Sequence, residues 1–236
     1  LSRIFRCSKL IKETRIMEWE QVWDRIYANA GEVQKDVLPT VVSAAELFKS
    51  AGVRSVLDLG CGTGRHSIFL AESGFEVTAA DISEHGVAIT KERAREKGLD
   101  IRVHNFDMRK IPFDDNTFDA VICVWTSGHG LLEDMIAHKN DMVRVTKPGG
   151  FIFVDYVSKQ DENYGKGVEI EKDTFINNTP GEEEIPHHYT DEYEIAELYK
   201  GDGELKISPY RYSYTDGSGN INYIHALVAI CRKKIC

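Results

Sequence analysis

The stretch Val56-Leu57-Asp58-Leu59-Gly60-Cys61-Gly62-Thr63-Gly64 constrains the fold more than any other part of the chain. An apolar run of strand length ends in glycines on alternate positions, and Arg65–Ser73 then takes up a helical pattern. Glycine lets the backbone adopt positive φ and lets a ligand approach with no Cβ in the way. A strand that turns in this way into a helix opens a doubly wound α/β sheet, whose ligands sit at the carboxyl ends of the strands.

The remaining pattern extends that unit. Glu76–Ala80, Ile101–Phe106, Phe118–Trp125 and Phe151–Val157 read as strands, with helical runs at about Ser83–Lys97 and Leu131–Val145 between them. Such alternation requires crossover connections and a parallel sheet covered on both faces. Glu204–Tyr214 and Asn220–Arg232, joined by Asp216-Gly217-Ser218-Gly219, read as a hairpin. The expected fold is α/β: a doubly wound, mostly parallel, seven-stranded Rossmann-like sheet with a C-terminal antiparallel hairpin.

Ahead of the first strand, Trp19, Val22, Trp23, Ile26, Tyr27 and Ala30 form an amphipathic stripe, and a second helical run spans about Val37–Ser50. The aromatic residues of the stripe are read as core packing, with a lid over a ligand as the alternative. Residues 17–236 are read as one domain with an N-terminal helical lid at 17–52 and a cap insertion at 158–204 that holds 14 acids and 4 bases. Residues 1–16, with five bases against one acid, are read as a basic arm that does not dock.

Two acids stand where the strands end. Asp81 follows the second strand, 17 residues beyond Gly64, and Asp107 follows the third. A carboxylate at the first position accepts from ribose hydroxyls in doubly wound folds; one at the second can accept from an adenine amine. Each acid alone reads equally as a helix cap or turn residue. In register with the glycine turn they describe an adenosine site. The spacing G-x-G-x-G departs from the dinucleotide fingerprint, and no Gly-Lys-Ser/Thr follows, so an adenosine cofactor without phosphates fits better.

These residues resemble the class I S-adenosylmethionine-dependent methyltransferases of small-molecule type. The resemblance rests on Leu57–Gly64, Ala80-Asp81-Ile82-Ser83, Ile111-Pro112-Phe113 with Phe118-Asp119, and Arg144–Gly150. It is close over about Val53–Val157 and thins at Leu1–Glu46 and Ser158–Glu204. By that resemblance S-adenosylmethionine is the cofactor and S-adenosylhomocysteine the product. Gly60, Gly62 and Gly64, with Cys61, would line the methionine part, and Asp58 would help position its amino group through the local network. Asp81 would hold the ribose, Ile82 would pack on the adenine, and Asp107 and the Met108 backbone would meet its edge. Cys123, Val124 and Trp125 would lie near the sulfonium.

Methyl transfer from a sulfonium needs chiefly alignment of a nucleophile and exclusion of water, with a base only where the acceptor must lose a proton. His129, in the loop after the fourth strand, is the candidate base, and Asp155 and Tyr156 are candidates to face the acceptor. His187 and His188 are adjacent and so point apart, and no carboxylate at helical spacing completes a set, so no metal site is expected.

Lys and Arg number 29 against 38 Asp and Glu, a net charge of −9, which disfavours nucleic acid as a partner. No apolar run approaches the roughly 18 residues of a membrane span. Five cysteines without a CxxC pair point to a reducing, cytoplasmic setting. The expected partner is a small-molecule acceptor. The alternatives are a protein or RNA methyltransferase, or a cofactor-binding sensor or partner subunit without turnover. Oligomeric state is left open.

Overall fold

In the computed structural model, which describes residues 19–29, 31, 35–177, 179, 181–215 and 221–235, the glycine turn does join a strand to a helix. Helix α1 (residues 19–29) and helix α2 (Pro39–Ser50) precede strand β1 (Ser55–Leu59). Then follow α3 (Arg65–Glu72), β2 (Glu76–Asp81), α4 (Glu84–Glu96), β3 (Ile101–Asn105), β4 (Phe118–Cys123), α5 (Leu132–Val145) and β5 (Thr146–Val157). The chain continues through β6 (Val168–Glu171), β7 (Thr174–Ile176), β8 (His187–His188) and α6 (Glu192–Leu198), and ends in β9 (Gly203–Thr215) and β10 (Ile221–Lys233).

The main sheet has seven strands in the order β3-β2-β1-β4-β5-β10-β9. β1 pairs in parallel with both β2 and β4, whereas β10 runs antiparallel to β5 and β9. The expected doubly wound sheet with a terminal hairpin is therefore the fold. Strand order reverses between β1 and β4, which opens a crevice at their carboxyl ends.

Period-two side-chain alternation divides the core in two. Leu57, Leu59, Val121, Cys123, Ile152 and Val154 face one side with Met135 and Met142 of α5. Val56, Ala120, Ile122, Phe151 and Phe153 face the other with Val41, Ala45 and Phe48 of α2. Helix α2 is thus a core element, and only α1 of the expected 17–52 lid reaches the crevice.

Two local readings change. β5 begins at Thr146 rather than Phe151, because Thr146 pairs with Phe118 across a register shift and draws Lys147–Gly150 into the strand. Segment 158–204 folds into a three-stranded antiparallel sheet, β6-β7-β8, plus α6. Its helix is not a cap: Ile195 and Tyr199 are buried in the core, and the Tyr199 hydroxyl lies 3.0 Å from that of Tyr156. The basic arm at 1–16 and the turn Asp216–Gly219 lie outside the described residues.

Candidate functional site

A cavity of about 570 Å³ opens at the crevice between β1 and β4. The glycine turn forms its floor. Gly60 has φ +73°, and a Cβ there would meet the Thr126 side chain at 2.4 Å, so both backbone shape and close approach require glycine. The N–H groups of Gly60 and Cys61 donate to the Ala80 carbonyl at 2.8 and 2.9 Å, which ties the turn to the end of β2. Asp81 completes that tie. Its Oδ2 accepts from the Gly62 N–H at 2.7 Å and its Oδ1 from the Ser83 N–H at 2.9 Å. Burial, only partly offset by these bonds, raises its pKa.

Ile82, Asp107 and Met108 continue the wall from the ends of β2 and β3. Asp107 is engaged by Arg109, whose Nε donates to both of its oxygens, at 3.0 and 2.8 Å. Burial works against the charged form, but Arg109 outweighs it and holds the carboxyl below its ordinary range. Arg109 also lies 5.3 Å from the Trp19 ring centroid, so helix α1 and the wall at the end of β3 meet there.

Two expected contacts, Gly64 and Cys123, fall elsewhere, and Asp58, expected to act only through the local network, lies buried behind the turn. Asp58 accepts from the Ser67 hydroxyl at 2.5 Å, holding α3 rather than lining the cavity. Gly64 is the left-handed N-cap of α3, packed against Thr90. Cys123 is fully buried in the core beside Leu59 and Val154, because the alternation along β4 turns it away and brings Val124 to the cavity. Gly60, Cys61, Gly62, Asp81, Ile82, Asp107, Met108 and His129 do share the one cavity.

The far wall is built where β4 and β5 end. Trp125 has φ +55°, a strained value for a bulky residue. Its N–H donates to Asp155 Oδ1 at 2.6 Å, and Arg65 lies over its ring at 4.6 Å. Desolvation pushes the buried Asp155 carboxyl up to about 7. Tyr156, by contrast, points into the core. Arg65, the residue after the last glycine of the turn, lines the cavity with Asp155, a role that the spacing of the glycines does not reveal.

Helix α1 and the small sheet close the remaining side. Trp19, Trp23 and Tyr27 line the cavity instead of the core, and a Cβ on Gly62 would meet the Tyr27 hydroxyl at 2.8 Å. Asp24 fixes the helix: it accepts from the Ser83 hydroxyl at 2.6 Å and the His85 N–H at 2.9 Å, at the start of α4. Opposite, His129, Glu182 and His187 converge on the wall, while His188 turns away to the Thr174 hydroxyl at 2.7 Å. Burial, helped by neighbouring His187, lowers His129 to about 4. Its Nε2 faces Glu182 and its Nδ1 is buried without a hydrogen-bond partner among the described residues, so neither nitrogen is presented as a base to the open cavity. Glu182 was not legible as a partner, since only the fold brings it to two histidines from different segments.

A doubly wound sheet with a cavity at the carboxyl ends of its strands is the architecture of ligand-binding α/β proteins. Residues 56–150 match the family described as "Methyltransferase domain". Glycine/sarcosine N-methyltransferase of Parasynechococcus marenigrum is 33% identical over 146 residues, 60% of this chain and 50% of that protein. Among solved structures, a SAM-dependent methyltransferase from Methanosarcina mazei superposes with TM-score 0.70 at 21% identity, covering 85% of this chain and 100% of that one. The Burkholderia thailandensis 1,6-didemethyltoxoflavin-N1-methyltransferase, solved with 1,6-didemethyltoxoflavin and S-adenosylhomocysteine, gives 0.66 at 18% identity, over 92% and 88%. Residues 56–150 therefore carry a methyltransferase-like segment, and the solved structures share the fold of the chain. The chain spans about half the length of the curated relatives it matches.

Proposed function

We propose that this chain binds S-adenosylmethionine and transfers its methyl group to a small-molecule acceptor. One observation carries the reading: the glycine turn, Asp81 and Asp107 share a single cavity with the Asp155 and His129 side, and α1 covers it. A volume of about 570 Å³ lies within the roughly 300–1,000 Å³ of pockets that enclose small molecules. Relatives named for a glycine/sarcosine acceptor and for 1,6-didemethyltoxoflavin support the same class.

The cavity fits the cofactor by its own chemistry. Gly60 and Gly62 take positive φ and let Thr126 and Tyr27 pack directly on the turn that floors the cavity, and Asp81 offers carboxylate lone pairs beyond the two N–H bonds it accepts. Asp81 would hold the ribose, Ile82 and Met108 the adenine, and Arg65 would set a positive charge toward the methionine carboxylate. The bound sulfonium supplies an activated methyl. The protein's task is then to orient the acceptor and exclude water, which α1 serves with Trp19, Trp23 and Tyr27. Asp155, with its carboxyl near 7, is placed to take a proton where the acceptor must lose one.

Among the described residues no helix is long and apolar enough to cross a membrane. Free, buried Cys61, Cys123 and Cys231 support a reducing, cytoplasmic setting. Incubation with methyl-labelled S-adenosylmethionine and separate pools of small metabolites, peptides and RNA tests the proposal. Label in a small product is expected. Label only in peptide or RNA would replace the acceptor class, and binding with no product from any pool would favour a sensor.

A further inference from the structure

His129, Glu182 and His187 come from the loop after β4, the turn before β8 and β8 itself, yet one ligand atom of each lies within 4.8 Å of the other two. His187 Nε2 is 2.9 Å from Glu182 Oε2, and His129 Nε2 is 3.8 Å from the same oxygen. The proton inventory makes this unusual. His187 Nδ1 lies 3.0 Å from the Ile185 carbonyl oxygen, which can only accept, so Nδ1 carries a hydrogen and donates it. In a neutral ring Nε2 is then a lone pair facing a carboxylate that also has only lone pairs. Two acceptors at that distance need a positive centre between them.

A proton on His187 would satisfy that pair and leave His129 without a part. A metal ion accounts for all three side chains. Tetrahedral ligands at about 2.0–2.1 Å from zinc stand roughly 3.3 Å apart, and the two distances to Glu182 bracket that spacing. The Ile185 bond fixes the ring so that Nε2 is the donor, as outer partners of metal-bound histidines do. Trp23 covers the His129 ring at 5.0 Å and shields it from solvent. We propose that His129, Glu182 and His187 bind a divalent transition-metal ion of borderline softness, with Zn²⁺ as the reference ion. Two imidazoles and one carboxylate leave coordination positions open toward the cavity, the arrangement of catalytic rather than structural zinc sites. The binding does not depend on the methyl-transfer reading.

The test uses the full chain stripped with a chelator, titrated with Zn²⁺ by calorimetry and with Co²⁺ by visible absorption. One ion per chain is expected, with cobalt ligand-field bands and no thiolate charge-transfer band. His187→Ala and Glu182→Gln should each weaken binding by more than the roughly tenfold that loss of an outer partner costs. The exposed His104, changed to Ala, should leave it unaltered. No stoichiometric binding, a thiolate band, or binding that persists in both cavity variants would overturn the proposal. Should a variant misfold, the wild-type chain still decides: Zn²⁺ should protect His129 and His187 from diethyl pyrocarbonate, and equal modification with and without zinc refutes the site.

Discussion

Asp81 accepts from the Gly62 and Ser83 N–H groups while facing the cavity, so its removal has two consequences. Asp81→Ala leaves two buried donors unsatisfied, at about 1–3 kcal/mol for such a loss. A lower melting temperature is expected together with weaker S-adenosylhomocysteine binding, read by calorimetry on the same preparation. Unchanged stability would show that the carboxylate does not hold the turn. Asp155 gives a pH signature. An unfolded aspartate titrates near about 3.9, whereas burial holds this one at about 7. Between those values the native state keeps a proton that the unfolded chain has released. Stability therefore falls as pH rises, by roughly 1.4 kcal/mol per pH unit for this group, and levels off above its folded value. Asp58, held up at about 6 by burial, acts in the same direction. Urea melts across that range should show a shallower fall in Asp155→Asn than in the wild type, and parallel curves would remove Asp155 from the account. Residues whose roles depend on position at a strand end were legible in the sequence: Asp81, Ile82, Asp107 and Met108 all reach the cavity. Cys123 was not, because a one-residue change of parity along β4 moves a side chain from cavity to core. Asp58 and Gly64 serve the helix behind the turn, and the motif does not separate that service from ligand contact.

At the scale of elements, the alternation of strands and helices was readable because buried parallel strands and crossover helices have different periods. The small sheet β6-β7-β8 was not, since strands of four, three and two residues carry no alternation to count. The charge of segment 158–204 was plain, but its use is local. Lys159 bridges Asp173 and Asp191 at 2.9 and 3.0 Å, and Asp161 accepts from the His225 N–H at 2.8 Å. Much of that negative charge therefore holds the segment to itself and to β10. Helix α1 depends on Asp24, which binds the start of α4 from outside it. Asp24→Ala should cost about 0.5–2 kcal/mol, the scale of a lost helix cap, and raise KM for S-adenosylmethionine more than it changes kcat. Steady-state kinetics beside a thermal melt checks this; an unchanged KM would mean that α1 does not govern cofactor access.

For the whole molecule, the sheet order and the reversal between β1 and β4 set a cavity at the carboxyl edge of the sheet, where the proposed cofactor and acceptor would lie side by side. The glycine turn and the strand-end acids were readable because short-range spacing encodes them. The rest of the cavity is assembled from α1, the ends of β4 and β5, and the small sheet, which are distant in the chain, so Arg65 and Glu182 join Asp155 there only on folding. Calorimetric titration of the full chain with S-adenosylhomocysteine, and separately with NAD, tests the central claim most directly. Single-site binding of S-adenosylhomocysteine with no heat from NAD is predicted. Binding of NAD with none of S-adenosylhomocysteine would contradict it.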